Sequence, residues 1–361
     1  MLESRMRSLG IPRFLVLAGI VAGASWGAQA QSEMSSSRRP VRVVADSRLA
    51  VEISTGQGLL PLYVSEDWSR PRPDITRAVI VLHGVLRDAD VYLRTGEQAQ
   101  RSAGDVSAGS LLIVPQFLAG IDVAAHKLPR ATLRWSLTGW QGGEDAEGPA
   151  PISSFDALDS IVTKLADARV FPALRQIVFA GHSGGGQVVQ RYAMIGRAEA
   201  ALGLAAERVG LRYVVANPSS YAWPGPERPD GQNGFVLPDA VACPGYDSWK
   251  YGLKGLPRYA GAAPSSAIEA AYLARDVIYL LGMTDTNPAH RALDRSCAAQ
   301  LQGPYRLARG QAFISYLRWR HPEGLRHRLM EVQGVGHNPS RMFGSACGRA
   351  ALFDDAGCDS R

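Results

Sequence analysis

Ser183 stands inside "QIVFAGHSGGGQVVQRYAM" (176–194), where an apolar run meets glycines and then a helical pattern. The quintet Gly181-His182-Ser183-Gly184-Gly185 fits G-x-S-x-G. Between a buried strand and a helix, that spacing holds a serine at strained backbone angles with its hydroxyl standing clear. Neighbours without side chains are needed there, and Gly181 and Gly185 supply them. A neutral serine is a poor nucleophile. It needs a base, usually histidine, that a carboxylate orients. "YLLGMTDTNP" (279–288) ends an apolar run with a loop carrying Asp285, and "MEVQGVGHNPS" (330–340) does the same for His337. In elbows of this kind the partners follow the serine in that order, carboxylate and then histidine.

Other residues compete for these roles. Asp294 lies deeper, in a helix-like stretch, and Asp276 begins a strand, at the wrong end of a sheet. His290 precedes the last strand and His327 starts it. His83 comes before the serine and is read as shaping its loop. Acyl transfer also needs donors for the oxyanion. One is the backbone N–H of Gly184, after the serine; the other comes from the loop after an earlier strand. In "VLHGVLRD" (81–88) that donor is the N–H of Val85, with Leu86 as its rival. "LTGWQGGEDAEG" (137–148) lacks the G-K-[ST] of a phosphate loop and is expected to border the pocket. Trp135, Trp140, Tyr221 and Trp223 are the candidate pocket aromatics. The two histidines of "HPEGLRH" (321–327) read as structural, because Pro322 and Gly324 break the helix that would align them as metal ligands.

These residues need a sheet that presents strand ends on one side. Continuous apolar runs at 78–84, 110–117, 176–182, 212–218, 275–282 and 328–334 suit strands buried on both faces. Segments 41–54 and 60–66 read as an opening pair of antiparallel strands. Residues 153–169 carry Phe155, Leu158, Ile161, Val162 and Leu165 on one helical face, with Ser153 or Ser154 as cap. Helical patterns also occupy 186–196 and 305–320. The alternation predicts an α/β fold with a mostly parallel central sheet flanked by helices. Residues 219–274 break the rhythm with Pro, Gly and aromatics and read as a cap or lid-like insertion.

The chain has 361 residues. Residues 1–30 resemble a secretory signal: basic residues at Arg5, Arg7 and Arg13, an apolar core at 14–24, and "AQA" (28–30) as the cleavage site. That core is shorter than the roughly 20 residues a membrane span needs, so no membrane association is expected after cleavage. Residues 31–40 read as a flexible leader and 41–361 as one α/β domain. Removing the signal, with Glu3 as its one acid, lowers the formal charge from +6 to +4. The basic residues are scattered, which excludes the clustered stripe of a nucleic-acid binder. Four cysteines, Cys243, Cys297, Cys347 and Cys358, in an exported chain read as two disulfides. Of three connectivities, Cys243–Cys297 with Cys347–Cys358 is preferred, the second tying down the tail.

Together "VLHG", "GHSGGG", "GMTDT" and "GVGHNP" resemble the α/β-hydrolase superfamily of serine hydrolases, over about residues 41–345. "FPALRQIVFAGHSGGGQVVQRYA" followed by "NPSSYAW" is similar to a set of microbial hydrolases in it. The resemblance implies the α/β-hydrolase fold and an acyl-enzyme mechanism with no metal and no organic cofactor. The helical lid of many true lipases is not evident, and the aromatic insertion stands in its place. The expectation is an exported serine hydrolase that cleaves small-molecule carboxylic esters with Ser183, His337 and Asp285. Amide or peptide cleavage, perhydrolysis and a non-catalytic binding role remain open alternatives, and the sequence leaves oligomeric state open.

Overall fold

Apolar side chains on both faces of a strand demand cover on both faces, and the sheet is built that way. The computed structural model describes residues 37–358. The signal segment, 1–30, and residues 31–36 of the leader lie outside them. The strands are β1 (Ser47–Ile53), β2 (Gly56–Val64), β3 (Arg77–Leu82), β4 (Ser110–Pro115), β5 (Gln176–His182), β6 (Gly210–Ala216), the short β7 (Arg228–Pro229) and β8 (Phe235–Val236), β9 (Asp276–Gly282) and β10 (Arg328–Val332). Eight of them form one sheet in the order β1-β2-β4-β3-β5-β6-β9-β10. The pairs β1–β2 and β2–β4 are antiparallel and the others parallel.

Alternate residues of each central strand feed two cores. Ala78, Ile80 and Leu82 of β3 join one, with Ile177 and Phe179 of β5 and Tyr213 and Val215 of β6. Val79 and Val81 join the other, with Val178, Ala180, Val214 and Ala216. Helices cover both. On the second face lie α1 (Ala89–Ala103), with Tyr92 and Ala99 inward, and two short C-terminal helices, Pro339–Gly344 and Ala346–Phe353. On the first lie α2 (Ser154–Leu165), α3 (Gly184–Ile195) and α4 (Arg306–Arg320). The start of α2 is fixed by Ser153: its Oγ accepts from Phe155 N at 3.1 Å, and Asp156 reaches back to Ser153 N at 3.0 Å. This reciprocal cap satisfies N–H groups that the helix leaves open.

The insertion at 219–274 contains only β7, β8, a short 3-10 turn and the helix Ser265–Ala274. It is tied to the rest of the fold. Cys243 is bonded to Cys297, and Cys347 to Cys358, the pairing preferred from sequence. Two disulfides fit an oxidising compartment. Among the described residues no helix is long and apolar enough to cross a membrane.

One buried ion pair supports the loop after β3. Arg87 (φ 60°) and Asp122 are both fully buried, with Nε to Oδ2 at 2.7 Å and Nη2 to Oδ1 at 3.1 Å. Asp122 also accepts from Val41 N and Ala119 N, while Arg87 donates to the carbonyls of Ser37 and Arg39. The described end of the leader is thus held on this pair rather than loose. Removing one partner strands a charge in the interior. Asp122→Ala is expected to destabilise the protein by about 3–5 kcal/mol, read as a lower midpoint in urea unfolding. A loss below 1 kcal/mol, roughly the worth of a surface pair, would contradict this assignment.

Candidate active site

β5 ends where α3 begins, and the chain must reverse within one residue. Ser183 makes that turn at φ 59° and ψ −120°, and its N–H bonds to the Ala216 carbonyl at 3.0 Å. The crowding explains the glycines. A Cβ on Gly181 would sit 2.2 Å from the Gly185 carbonyl oxygen, and one on Gly185 would sit 2.1 Å from that of Leu82. No side chain fits either position.

The loops after β9 and β10 come to the same place. Asn217 (φ 43°), just past β6, holds them: its Oδ1 accepts from Gly282 N at 2.9 Å, and its Nδ2 donates to the Gly336 carbonyl at 3.3 Å. Thr284 N donates to the Val335 carbonyl at 3.0 Å and fastens one loop to the other. His337 thereby lies with Nδ1 2.7 Å from Asp285 Oδ2 and Nε2 2.9 Å from Ser183 Oγ. Nδ1–H donating to a carboxylate leaves Nε2 as the acceptor for the serine proton. The three residues selected from sequence are thus joined by one chain of hydrogen bonds.

Of the rivals, His290 stands beside His337 without bonding Ser183 or Asp285, and the others are occupied elsewhere. Asp294 lies in a loop, not the expected helical stretch, and accepts from the Tyr251 hydroxyl at 2.8 Å and Ser296 N at 2.9 Å. Asp276 bonds Arg212 and Arg328 at the far end of the sheet. His327 is buried between the Tyr279 hydroxyl and the Tyr272 carbonyl. His83 is buried, with Nδ1 2.9 Å from the Gly84 carbonyl and Nε2 accepting from Phe117 N at 3.0 Å. Burial pushes its pKa down to about 4, so it is a neutral brace for the loop.

Val85 follows that brace. A Cβ on Gly184 would lie 3.1 Å from Val85 N, so the two backbone donors selected from sequence adjoin each other. Gly184 also opens α3, whose first N–H groups have no partner within the helix and carry its partial positive charge.

The pocket aromatics lie elsewhere than expected. Trp135, Trp140, Tyr221 and Trp223 are all 0% exposed. Trp135 and Trp140 pack on Phe117, and Tyr221 and Trp223 pack on Phe313 of α4. Large rings bury the most area per residue, and here they complete the core on the first face instead of lining a cleft.

Sequence reasoning missed Arg306, at the start of α4. Its guanidinium is fully buried, with Nη1 3.5 Å from Asp285 Oδ1. Nothing in "GPYRLARG" marks it, because the contact spans 21 residues. Burial raises Asp285 above the ordinary carboxylate range, and Arg306, His182 and His290 oppose that. Burial, Arg306 and His290 hold His337 well below 6.5. His182 and His290 are its ring neighbours, at 4.4 and 4.9 Å. A general base must be neutral to accept a proton, and histidine is neutral above its pKa. Activity is therefore expected to persist below pH 6.5, the ordinary histidine value. Arg306→Met removes a charge that depresses His337 and is expected to move the acid limb of kcat/KM to higher pH. An unmoved limb would deny Arg306 this role.

Poly(aspartic acid) hydrolase-1 from Sphingomonas sp. KT-1 superposes with a TM-score of 0.56 at 22% identity, over 87% of this chain and 99% of that one. A poly(3-hydroxybutyrate) depolymerase from Bordetella parapertussis superposes with a TM-score of 0.57 at 21% identity, over 85% and 90%. No family model matches the chain, and no curated protein sequence does. At these identities the likeness establishes the fold.

Proposed function

We propose that this chain, an α/β-hydrolase by fold, is an exported serine hydrolase that cleaves carboxylic esters through an acyl-enzyme. The observation that carries the reading is the continuous run Asp285–His337–Ser183, with a serine at positive φ where β5 meets α3. In this reading His337 Nε2 takes the Ser183 proton as Oγ attacks the ester carbonyl carbon. The carbonyl electron pair moves to oxygen, and the N–H groups of Gly184 and Val85 bind the oxyanion. Collapse breaks the bond to the alkoxy oxygen, which leaves with the proton from His337. Water then repeats the sequence on the acyl-enzyme, releasing the carboxylic acid and restoring Ser183. Asp285 keeps the Nδ1–H tautomer and offsets the imidazolium charge.

Esters are favoured because an alkoxide leaves with less help than an amine. The test is turnover of a p-nitrophenyl ester chain-length series beside aminoacyl anilides. Ester turnover with a chain-length optimum is expected. Faster anilide turnover would overturn the ester assignment.

A further inference from the structure

The loop 137–148 carries a group that neither the fold nor the triad employs. Three carbonyls of its 3-10 turn, Gly139–Gly142, accept from side chains of other segments. The Trp140 carbonyl accepts from Ser154 Oγ at 2.8 Å, that of Gln141 from Arg191 Nη1 at 3.1 Å, and that of Gly142 from Trp249 Nε1 at 2.7 Å. Gln141 N donates to the Thr138 carbonyl at 3.2 Å. The main chain of Gln141 is therefore fully engaged. Its side chain is not: the residue is 6% exposed, and the buried Nε2 has no hydrogen-bond partner among the described residues.

A buried amide nitrogen without an acceptor is rare in folded proteins, because its desolvation goes uncompensated. The place of this one supplies a reason. A Cβ on Gly184 would meet Val85 N at 3.1 Å and Gln141 Nε2 at 3.2 Å. Val85 N and Gln141 Nε2 thus both lie against the Gly184 backbone beside Ser183, and no acceptor among the described residues satisfies the Gln141 amide nitrogen.

We propose that the Gln141 side-chain amide is a third donor to the oxyanion, beside the N–H groups of Val85 and Gly184. The proposal rests on the serine-hydrolase reading above. In the resting protein Nε2 waits without an acceptor. When Ser183 Oγ adds to the carbonyl carbon, the oxygen that gains the electron pair becomes that acceptor. Three fixed carbonyls hold the turn, so no reorganisation is needed as the charge forms, which is the condition under which such donors act most strongly. Because charge develops after binding, removing the donor should lower kcat and leave KM nearly unchanged.

The experiment compares wild type with Gln141→Leu, which keeps the bulk and removes the amide. Three readouts are taken: ester kcat and KM, Ki for an alkyl trifluoromethyl ketone that adds to the serine as an oxyanion, and labelling of Ser183 by a fluorophosphonate. The expected result is a fall in kcat of about 10–100-fold, with Ki weakened in parallel. Thermal unfolding checks the fold. If Gln141→Leu unfolds, Gln141→Glu, of the same size and without the donor when ionised, takes its place with the same expectation. Wild type labelled on Ser183, with kcat and Ki of a folded variant within about twofold of wild type, would overturn the proposal and leave the hydrolase reading standing. A wild type that is neither labelled nor active would overturn both.

Discussion

Ser183→Ala is expected to lower ester turnover by about 10⁶-fold, the order seen when a triad nucleophile is removed. Without Oγ there is no acyl-enzyme, and His337 loses the group whose proton it takes. Binding and the backbone donors remain, so a small rate above that of water should survive. The variant should fold normally. Alanine at φ 59° bears the backbone strain that serine already bears, and the side-chain hydrogen bond lost among the described residues is the 2.9 Å one to His337. The check is kcat/KM on a p-nitrophenyl ester beside the thermal midpoint. Turnover within tenfold of wild type, an effect of only about 1.4 kcal/mol, would remove Ser183 from the chemistry.

Asp285→Asn should cost about 10⁴-fold in kcat. The carboxylate Oδ2 accepts from His337 Nδ1 at 2.7 Å. An amide can offer Nδ2–H to the same nitrogen, which favours the tautomer with its proton on Nε2. That nitrogen then faces Ser183 Oγ with a hydrogen and cannot act as base. The change also leaves the buried Arg306 without the carboxylate beside it. Asp285→Glu lengthens the side chain but keeps the charge and should recover part of the loss. Equal loss in the Asn and Glu variants would assign the effect to packing instead of the tautomer.

The sheet was legible because its chemistry is repetitive. β3, β5, β6 and β9 face cores on both sides, so their sequences run apolar without alternation. The helix α1 was not, for the opposite reason. Its inward face is Ala89, Tyr92, Thr95, Gly96 and Ala99, small or partly polar, and the rest mixes Val91 and Leu93 with charged and amide side chains. No wide apolar stripe announces it. The three site residues were legible because strand ends and glycines mark them locally. Asp285 is preferred to Asp294 on its strand end and on the helix-like pattern around Asp294, and the loop position of Asp294 shows how weak that second signal is.

Distance in sequence defines what stayed hidden. Arg306, Asn217 and Gln141 reach the site only through tertiary packing, and although 137–148 and "NPSSYAW" draw notice as segments, nothing local marks these three side chains within them. The aromatics were misplaced for a related reason. Composition shows that 219–274 is rich in rings, but not which rings fill the core above α4 and which meet solvent. Tyr221 and Trp223 do the first.

The central claim is that Ser183 is a nucleophile activated by His337. A fluorophosphonate reacts with such a serine and ignores an ordinary hydroxyl. Purified protein treated with the probe, digested and weighed by mass spectrometry should carry one label, on the peptide containing Ser183, and Ser183→Ala should carry none. Folded protein with no label, or with the label on another residue, would contradict the account.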